Sequence, residues 1–222
     1  MSIRETPFIC NEYYHIYNRG VNKMEIFINN KDYNRFLKLL YVINNTALIK
    51  FSDIETCPGK AWTFEREETL VDIGAFCLMP NHFHLLLKEK REGGITIFLH
   101  RLSTSYSLYF NKKNERTGAL FQGKFKSEHI KNDAHLKYLF SYIHLNPIKL
   151  IQNDWKETGI MDINGSLEYL SRYKYSSYLD FIEEQRYESK ILNISAFPDY
   201  FSTAELFKKE IFEWLTYNKN EQ

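Results

Sequence analysis

His82 and His84 are separated by one residue, Phe83, in a run rich in strand-forming residues. On an extended strand alternate side chains point to the same side of the sheet, so both imidazoles lie on one face and Phe83 on the other. Two imidazoles at this spacing suit the chelation of one metal ion. A polar sheet face is the competing interpretation, and the histidine pair alone does not decide between the two.

Tyr142 and Asn146 are four residues apart in a segment with helical spacing. Side chains four apart on a helix project from one face, so both groups can reach a single site. Asn146 also has a structural interpretation, because an Asn that precedes a Pro commonly ends a helix. This second pair of residues therefore depends on a helix that ends or kinks around Pro147.

Apolar periodicity and turn residues predict the elements that must position these side chains. They are a strand at Tyr13–Asn18, a helix with Asp32 as N-cap that ends near Asn44 and Asn45, a hairpin of strands at Leu70–Met79 and His82–Glu89, a helix at Ile95–Asn111, a strand at Leu120–Ile130, and a helix capped by Asn132 or Asp133. The order β-α-β-β-α-β is that of a ferredoxin-like antiparallel sheet with helices on one face, an α+β fold. The last helix is additional to that fold and carries Tyr142.

The chain divides into residues 1–150, which hold these elements, and an acidic appendage at residues 151–222 that we expect to pack on the same domain. Within the appendage, Ser202 and Glu205 fit a capping box at the start of an amphipathic helix that reaches Tyr217. The stretch Phe51–Glu68 contains Pro58, Gly59 and five acidic residues and is interpreted as an exposed connection.

The net charge of +1 conceals an asymmetry along the chain. Residues 1–92 carry 12 basic and 12 acidic residues, residues 93–150 carry 9 and 3, and residues 151–222 carry 8 and 13. A polyanion would prefer the middle segment, whose net charge is +6.

Composition narrows the class of protein further. Hydrophobic residues at 44% and aromatic residues at 16% indicate a packed globular chain. No apolar run approaches the roughly 20 residues of a membrane helix, and the first ten residues lack a signal-peptide stretch, so we expect a soluble, cytoplasmic protein. The three cysteines, Cys10, Cys57 and Cys77, lack paired spacing and are interpreted as unpaired thiols.

Several segments together resemble a known family. The run Cys77–Leu87, which includes Pro80-Asn81-His82-Phe83-His84, closely resembles the His-hydrophobe-His segment of the single-tyrosine HUH transposases. Further segments resemble, in the same order, the branch associated with repetitive extragenic palindromes: Tyr14-His15, Asn18-Arg19-Gly20, Leu120–Lys126 and Tyr142–Pro147.

The resemblance implies a nuclease that cleaves single-stranded DNA through a tyrosine on a helix and stays joined to the 5′ phosphate. It places the nucleophile at Tyr142 and implies assistance by Mg²⁺ or Mn²⁺, with His82, His84 and Asn146 as the metal ligands. The partner would be single-stranded or hairpin DNA. Tyr138 lies one turn before Tyr142 on the same face, and only the motif favours Tyr142 over it.

Other residues are candidates for contact with DNA or for support of the site. Basic and aromatic side chains offer partners for phosphates and bases. The candidates are Arg19, Lys112, Lys113, Arg116, Phe121, Gln122, Lys124, Lys126 and Lys131. Three further residues are weaker candidates for a position behind the reacting groups: His15, His129 and Tyr138.

Two other functions stay open at this stage. One is a nucleic-acid-binding protein that has this fold but does not cut. The other is a metal-dependent DNA hydrolase that forms no covalent intermediate. The sequence leaves the general base and the oligomeric state, monomer or homodimer, undetermined.

Overall fold

The computed structural model describes residues 7–49 and 60–216. The strands are β1 (Tyr13–Arg19), β2 (Val71–Met79), β3 (His82–Glu89) and β4 (Lys126–His129). The helices are α1 (Asn30–Val42), α2 (Lys60–Thr63), α3 (Gly94–Lys113), α4 (Asp133–Leu145), α5 (Trp155–Thr158), α6 (Ile163–Arg172), α7 (Tyr178–Phe181) and α8 (Ala204–Thr216). Short 3-10 helices lie at Val21–Lys23, Asn146–Leu150, Tyr187–Ile191 and Ile194–Ala196. No helix within the described ranges is long and apolar enough to cross a membrane.

The four strands form one antiparallel sheet in the order β2-β3-β1-β4. With α1 and α3 on one face, this is the predicted ferredoxin-like α+β fold, which is confirmed. The hairpin of β2 and β3 supplies the strand next to β1, so the His82–His84 pair lies near the centre of the sheet.

Alternation along the strands divides the core into two layers. On one side, Phe83 of β3 packs against Phe36 of α1, with ring centroids 5.1 Å apart. On the other side, Met79 and Leu86 share a buried cluster with Ile143 of α4. The appendage helices α6 to α8 cover this second layer, where Phe207 of α8 and Ile211 are fully buried.

The start of α1 differs from the prediction. Asn29, rather than Asp32, is the N-cap, and its side chain accepts from the backbone N–H of Lys31. Asp32 lies at the third helical position and accepts from the backbone N–H groups of Ile28 (3.0 Å) and Asn29 (3.2 Å). The two residues form a capping box, which satisfies more of the free N–H groups at the helix end than one cap does.

The last strand is shorter than predicted. The expected strand at Leu120–Ile130 reduces to Lys126–His129, because Gly123 adopts a left-handed backbone with φ 70° and Phe121 makes only an isolated bridge to Gly20. The final helix also starts later than predicted: Thr203, not Ser202, accepts from the N–H of Leu206 (3.2 Å).

The predicted exposed connection at 51–68 is wrong in its later part. Residues 60–63 form α2, and Trp62 is buried with its ring centroid 5.5 Å from that of Tyr41 on α1. Residues 51–59, including Cys57, lie outside the described residues. Of the other two cysteines, Cys10 is an exposed free thiol and Cys77 a buried one.

Candidate active site

The two histidines face α4, as their alternation predicts. His84 lies opposite Tyr17 on β1 and Cys77 on β2, and His82 lies opposite Arg19 and Met79. The two imidazole centroids are 5.0 Å apart. The rings are thus close enough for both to serve one ion.

Both Nδ1 atoms already have partners. His82 Nδ1 lies 2.6 Å from Asn81 Oδ1, and His84 Nδ1 lies 2.8 Å from Nε2 of His15 on β1. His15 therefore belongs to the site, in the supporting position for which the sequence made it a candidate. His15 and His84 are each only 6% exposed.

Helix α4 brings Tyr142 to these rings. The Tyr142 ring centroid is 5.7 Å from that of His84 and 5.9 Å from that of His15, with both rings close to perpendicular to it. Packing of Ile143 and Leu139 into the second core layer holds α4 across this face of the sheet. The pair predicted on the hairpin and the tyrosine predicted on a distant helix are therefore adjacent.

Asn146 follows directly after α4, in the 3-10 helix that contains Pro147. Its Nδ2 donates to the backbone carbonyl of Tyr142 at 2.8 Å, which is the structural role that the Asn-Pro pattern predicts. Its Oδ1 is buried and has no hydrogen-bond partner among the described residues. Asn146 therefore ends the helix and also leaves its amide oxygen available as a ligand, a type that hard cations accept.

The available donors fit a metal site that leaves coordination positions open. Within residues 7–49 and 60–216, no three His, Cys, Asp or Glu side chains come together to hold a metal ion. His82, His84 and the unpartnered Asn146 oxygen would supply two nitrogens and one oxygen, all neutral. Such a set leaves coordination positions for substrate oxygens.

Burial sets the protonation of the site. It lowers the pKa of His82 to about 4, with further lowering by the cations Lys149 and Arg19. Burial, and then His135, lower the pKa of His15 to about 4. Both rings are neutral at pH 7, the form that can bind a metal or accept a hydrogen bond. Burial also raises the pKa of Tyr142, and a hydrogen bond from Asn146 opposes part of that rise.

A cleft of about 400 Å³ opens beside these groups. Four cations line it: Arg19, Lys23, Lys126 and Lys149. Arg19 Nε donates to Oε1 of Gln122, which also lines the cleft. Lys23 and Lys149 were missed by sequence reasoning. Lys149 is seven residues, or two helical turns, after Tyr142. Extending the helical face of Tyr142 past Pro147 would have predicted that Lys149 lies at the site.

Other predicted DNA contacts lie away from the cleft. Lys113 pairs with the fully buried carboxylate of Asp32 at 2.5 Å, and Arg116 donates to Asn111 Oδ1 at 2.7 Å. Phe121 is 7% exposed and packs near Phe83, so it presents little surface for stacking on a base. Three predicted lysines are exposed but do not line the cleft: Lys112, Lys124 and Lys131.

The remaining supporting candidates divide between the two sheet faces. His129 lies opposite Tyr14 and stacks on it (5.0 Å), with Nε2 3.0 Å from Glu12, so the structure does not bring it to Tyr142. Tyr138 is beside Tyr142, with ring centroids 5.9 Å apart, and also contacts Trp214 of α8 at 5.1 Å.

Fold and site together define an α+β protein in which a His-x-His pair on a central strand lies against a helix-borne tyrosine. Residues 62–146 match the family described as IS200-like transposases, and this confirms the resemblance predicted from the sequence motifs. The matched segment contains all four of the residues His82, His84, Tyr142 and Asn146.

A solved structure supports the fold. The chain is similar to a tyrosine transposase associated with REP sequences and bound to a REP hairpin, with a TM-score of 0.50 and 12% identity, over 85% of this chain and 90% of that one. At this identity the likeness establishes the architecture alone. No protein of curated function matches the sequence.

Proposed function

We propose that this chain is a transposase-type endonuclease and strand transferase that acts on single-stranded hairpin or palindromic DNA through a 5′-phosphotyrosine intermediate at Tyr142. The observation that carries the proposal is the position of the Tyr142 ring, within 6 Å of the rings of both His84 and His15. The family match supports action on DNA, and the hairpin bound to the similar structure suggests the form of the substrate.

In the proposed reaction, Tyr142 Oη forms a bond to phosphorus and the bond from phosphorus to the 3′ oxygen breaks. The tyrosine loses its proton and the departing 3′ oxygen gains one. Because the phosphotyrosine keeps the energy of the broken ester, a second 3′ hydroxyl can reverse the step and join a different strand.

We assign His82, His84 and Asn146 as the residues that would hold Mg²⁺ or Mn²⁺. A bound divalent ion supplies Lewis-acid stabilisation of negative charge on the phosphate oxygens. The neutral state of His82 at pH 7 suits this role. Asn146 additionally donates a hydrogen bond that lowers the pKa of Tyr142, which favours loss of the tyrosine proton.

The cations of the cleft would bind the DNA backbone. Arg19, Lys126 and Lys149 border the same cleft as Tyr142 and offer phosphate partners that carry no sequence preference. Gln122, held by Arg19, is the side chain in that cleft best suited to read a base edge.

The proposal is tested by incubating the protein with end-labelled hairpin DNA and Mn²⁺ and searching for a protein–DNA adduct that survives denaturation. We expect the adduct and the cleaved strand with the natural protein and neither with Tyr142→Phe. Tyr138→Phe is the matched control, because it removes a neighbouring hydroxyl on the same helix face and should leave both products. Cleavage that persists in Tyr142→Phe would sink the mechanism.

The same assay separates the rival functions. Cleavage by the natural protein without an adduct would indicate direct hydrolysis. Hairpin binding without cleavage or adduct, in the presence of Mn²⁺, would indicate a DNA-binding protein that does not cut.

A further inference from the structure

The two histidines among the three candidate metal ligands share one feature that the nuclease proposal leaves unexplained: each has its Nδ1 atom within hydrogen-bond distance of a specific partner. We propose that Asn81 and His15 are positioning residues that hold His82 and His84, respectively, in the tautomer with the proton on Nδ1, so that both Nε2 atoms keep a lone pair for the metal. The role in metal binding rests on the proposed function, whereas the tautomers themselves do not.

The Asn81 contact determines the proton on His82. Asn81 Nδ2 donates to the backbone carbonyl of Lys23 at 3.2 Å, which fixes the amide with Oδ1 toward the histidine. An amide oxygen only accepts hydrogen bonds, so at 2.6 Å His82 Nδ1 must be the donor. In the neutral imidazole the other nitrogen, Nε2, then has no proton.

The His15–His84 contact joins two nitrogens, and one proton lies between them. At 2.8 Å, either His84 Nδ1 or His15 Nε2 is the donor. The negative charge of Glu128 on β4 favours His84 as the donor, because Glu128 Oε2 lies 3.9 Å from Nδ1 of His15 and favours the proton of that ring on Nδ1. His15 Nε2 then accepts, and His84 Nδ1 donates.

The consequence for the site is a matched pair of ligands. A histidine in the opposite tautomer would direct an N–H bond instead of a lone pair at the ion. Outer partners of this kind fix ring orientation as well as tautomer, and their loss typically weakens metal affinity by about 10- to 100-fold. The partners come from separate elements, the β2–β3 turn for Asn81 and β1 for His15.

The tautomers can be read directly from long-range ¹H–¹⁵N spectra of the metal-free protein labelled with ¹⁵N-histidine, without DNA. We expect a protonated Nδ1 and an unprotonated Nε2 for both His82 and His84. Asn81→Ala should release His82 alone and His15→Leu should release His84 alone, so each variant is the control for the other. A wild-type Nε2–H tautomer at either histidine, or tautomers unchanged in the variants, would overturn the proposal.

Mn²⁺ affinity, followed by the EPR signal of the free ion, gives a second measurement that needs no cleavage. We expect Asn81→Ala and His15→Leu each to weaken binding by about 10- to 100-fold. Asn81→Asp and His15→Gln retain an acceptor and should recover most of the loss, which also keeps the test valid if the larger changes impair folding. Weaker binding with unchanged tautomers would reduce both residues to a structural role.

This pair of measurements stands apart from the test of the nuclease. If the tautomers hold and Mn²⁺ binds but no Tyr142 adduct forms, the positioning role survives and the covalent mechanism fails. If the adduct forms and the tautomers are wrong, the reverse is true.

Discussion

Asn146 shows how one side chain can serve both the end of a helix and the candidate metal site. Its Nδ2 bond to the Tyr142 carbonyl fixes the amide, and this leaves the buried Oδ1 without a partner among the described residues. A buried acceptor left unsatisfied costs about 1–3 kcal/mol. A cation at this oxygen would offset that cost, which is why we favour Asn146 as a ligand.

The first prediction concerns this oxygen. Asn146→Ala should weaken Mn²⁺ binding by roughly 10-fold or more, at least the loss expected on removing an outer partner. Asn146→Asp retains an oxygen and adds a negative charge, so it should bind Mn²⁺ at least as tightly as the natural protein. Isothermal titration gives both affinities. Asn114→Ala, at an exposed residue outside the cleft, is the control, and equal affinities for Asn146→Ala and the control would remove Asn146 from the ligand set.

A second prediction at the residue scale compares the cleft with the basic residues outside it. Lys149 lines the cleft and Lys112 does not, although both carry the same charge. Loss of one phosphate contact lowers the slope of log Kd against log salt concentration by about 1. We expect that change for Lys149→Ala and none for Lys112→Ala, measured by fluorescence anisotropy with a labelled hairpin. The opposite pattern would place the DNA on the far end of α3.

At the scale of elements, Asp32 joins α1 to α3 on the face of the sheet away from Tyr142. Its carboxylate is fully buried and accepts from Lys113 of α3 (2.5 Å), from the Tyr109 hydroxyl (3.0 Å) and from the N–H groups at the start of α1. The contact therefore caps one helix and ties it to the other. Because the Lys113 ammonium forms this ion pair, we do not expect Lys113 to bind a DNA phosphate.

This arrangement predicts a large stability cost for the loss of Asp32. Asp32→Ala should lower the free energy of unfolding by about 3 kcal/mol, because it leaves buried N–H and O–H donors without an acceptor and breaks a buried ion pair. Lys209→Met is the control, since it breaks the exposed ion pair with Glu213 on α8 and should cost less than about 1 kcal/mol. Urea denaturation measures both. Similar costs for the two variants would contradict the assigned role.

At the scale of the whole molecule, the appendage covers the second face of the sheet and the free edge of β2. The N–H of Leu78 donates to the carbonyl of Tyr175 (2.9 Å), and the N–H of Ser177 donates to the carbonyl of Phe76 (2.9 Å). This pairing protects an edge strand that would otherwise present unpaired backbone groups. The appendage thus helps to hold the strand that precedes the two histidines.

The packing of the appendage on the sheet can be tested through Cys77, which lies in β2 beneath the appendage. Burial raises the pKa of the Cys77 thiol, and the residue is fully inaccessible. Native protein should therefore react with iodoacetamide at the exposed Cys10 and not at Cys77, as seen by peptide mass spectrometry. Phe207→Ala removes a fully buried ring of α8, should cost about 3–5 kcal/mol and should raise Cys77 labelling. Equal labelling of the two cysteines in native protein would refute this packing.

Much of the site was readable in the sequence because it depends on local periodicity. The two-residue period of a strand puts His82 and His84 on one face, and the helical period puts Tyr142 and Asn146 on another. The order of the segments predicts the ferredoxin-like fold, which the sheet order β2-β3-β1-β4 confirms. Local rules failed where a glycine conformation decides, as at Gly123, where the predicted strand breaks.

Tertiary structure alone decided which distant residues meet. His15 and His84 are 69 residues apart and touch because β1 pairs with β3 in one register. Lys113 and Asp32, 81 residues apart, pair because α1 and α3 share a sheet face, and this withdraws Lys113 from the predicted DNA contacts. A charge or an imidazole in the sequence states what a residue can do, whereas strand order and packing determine which partner it meets.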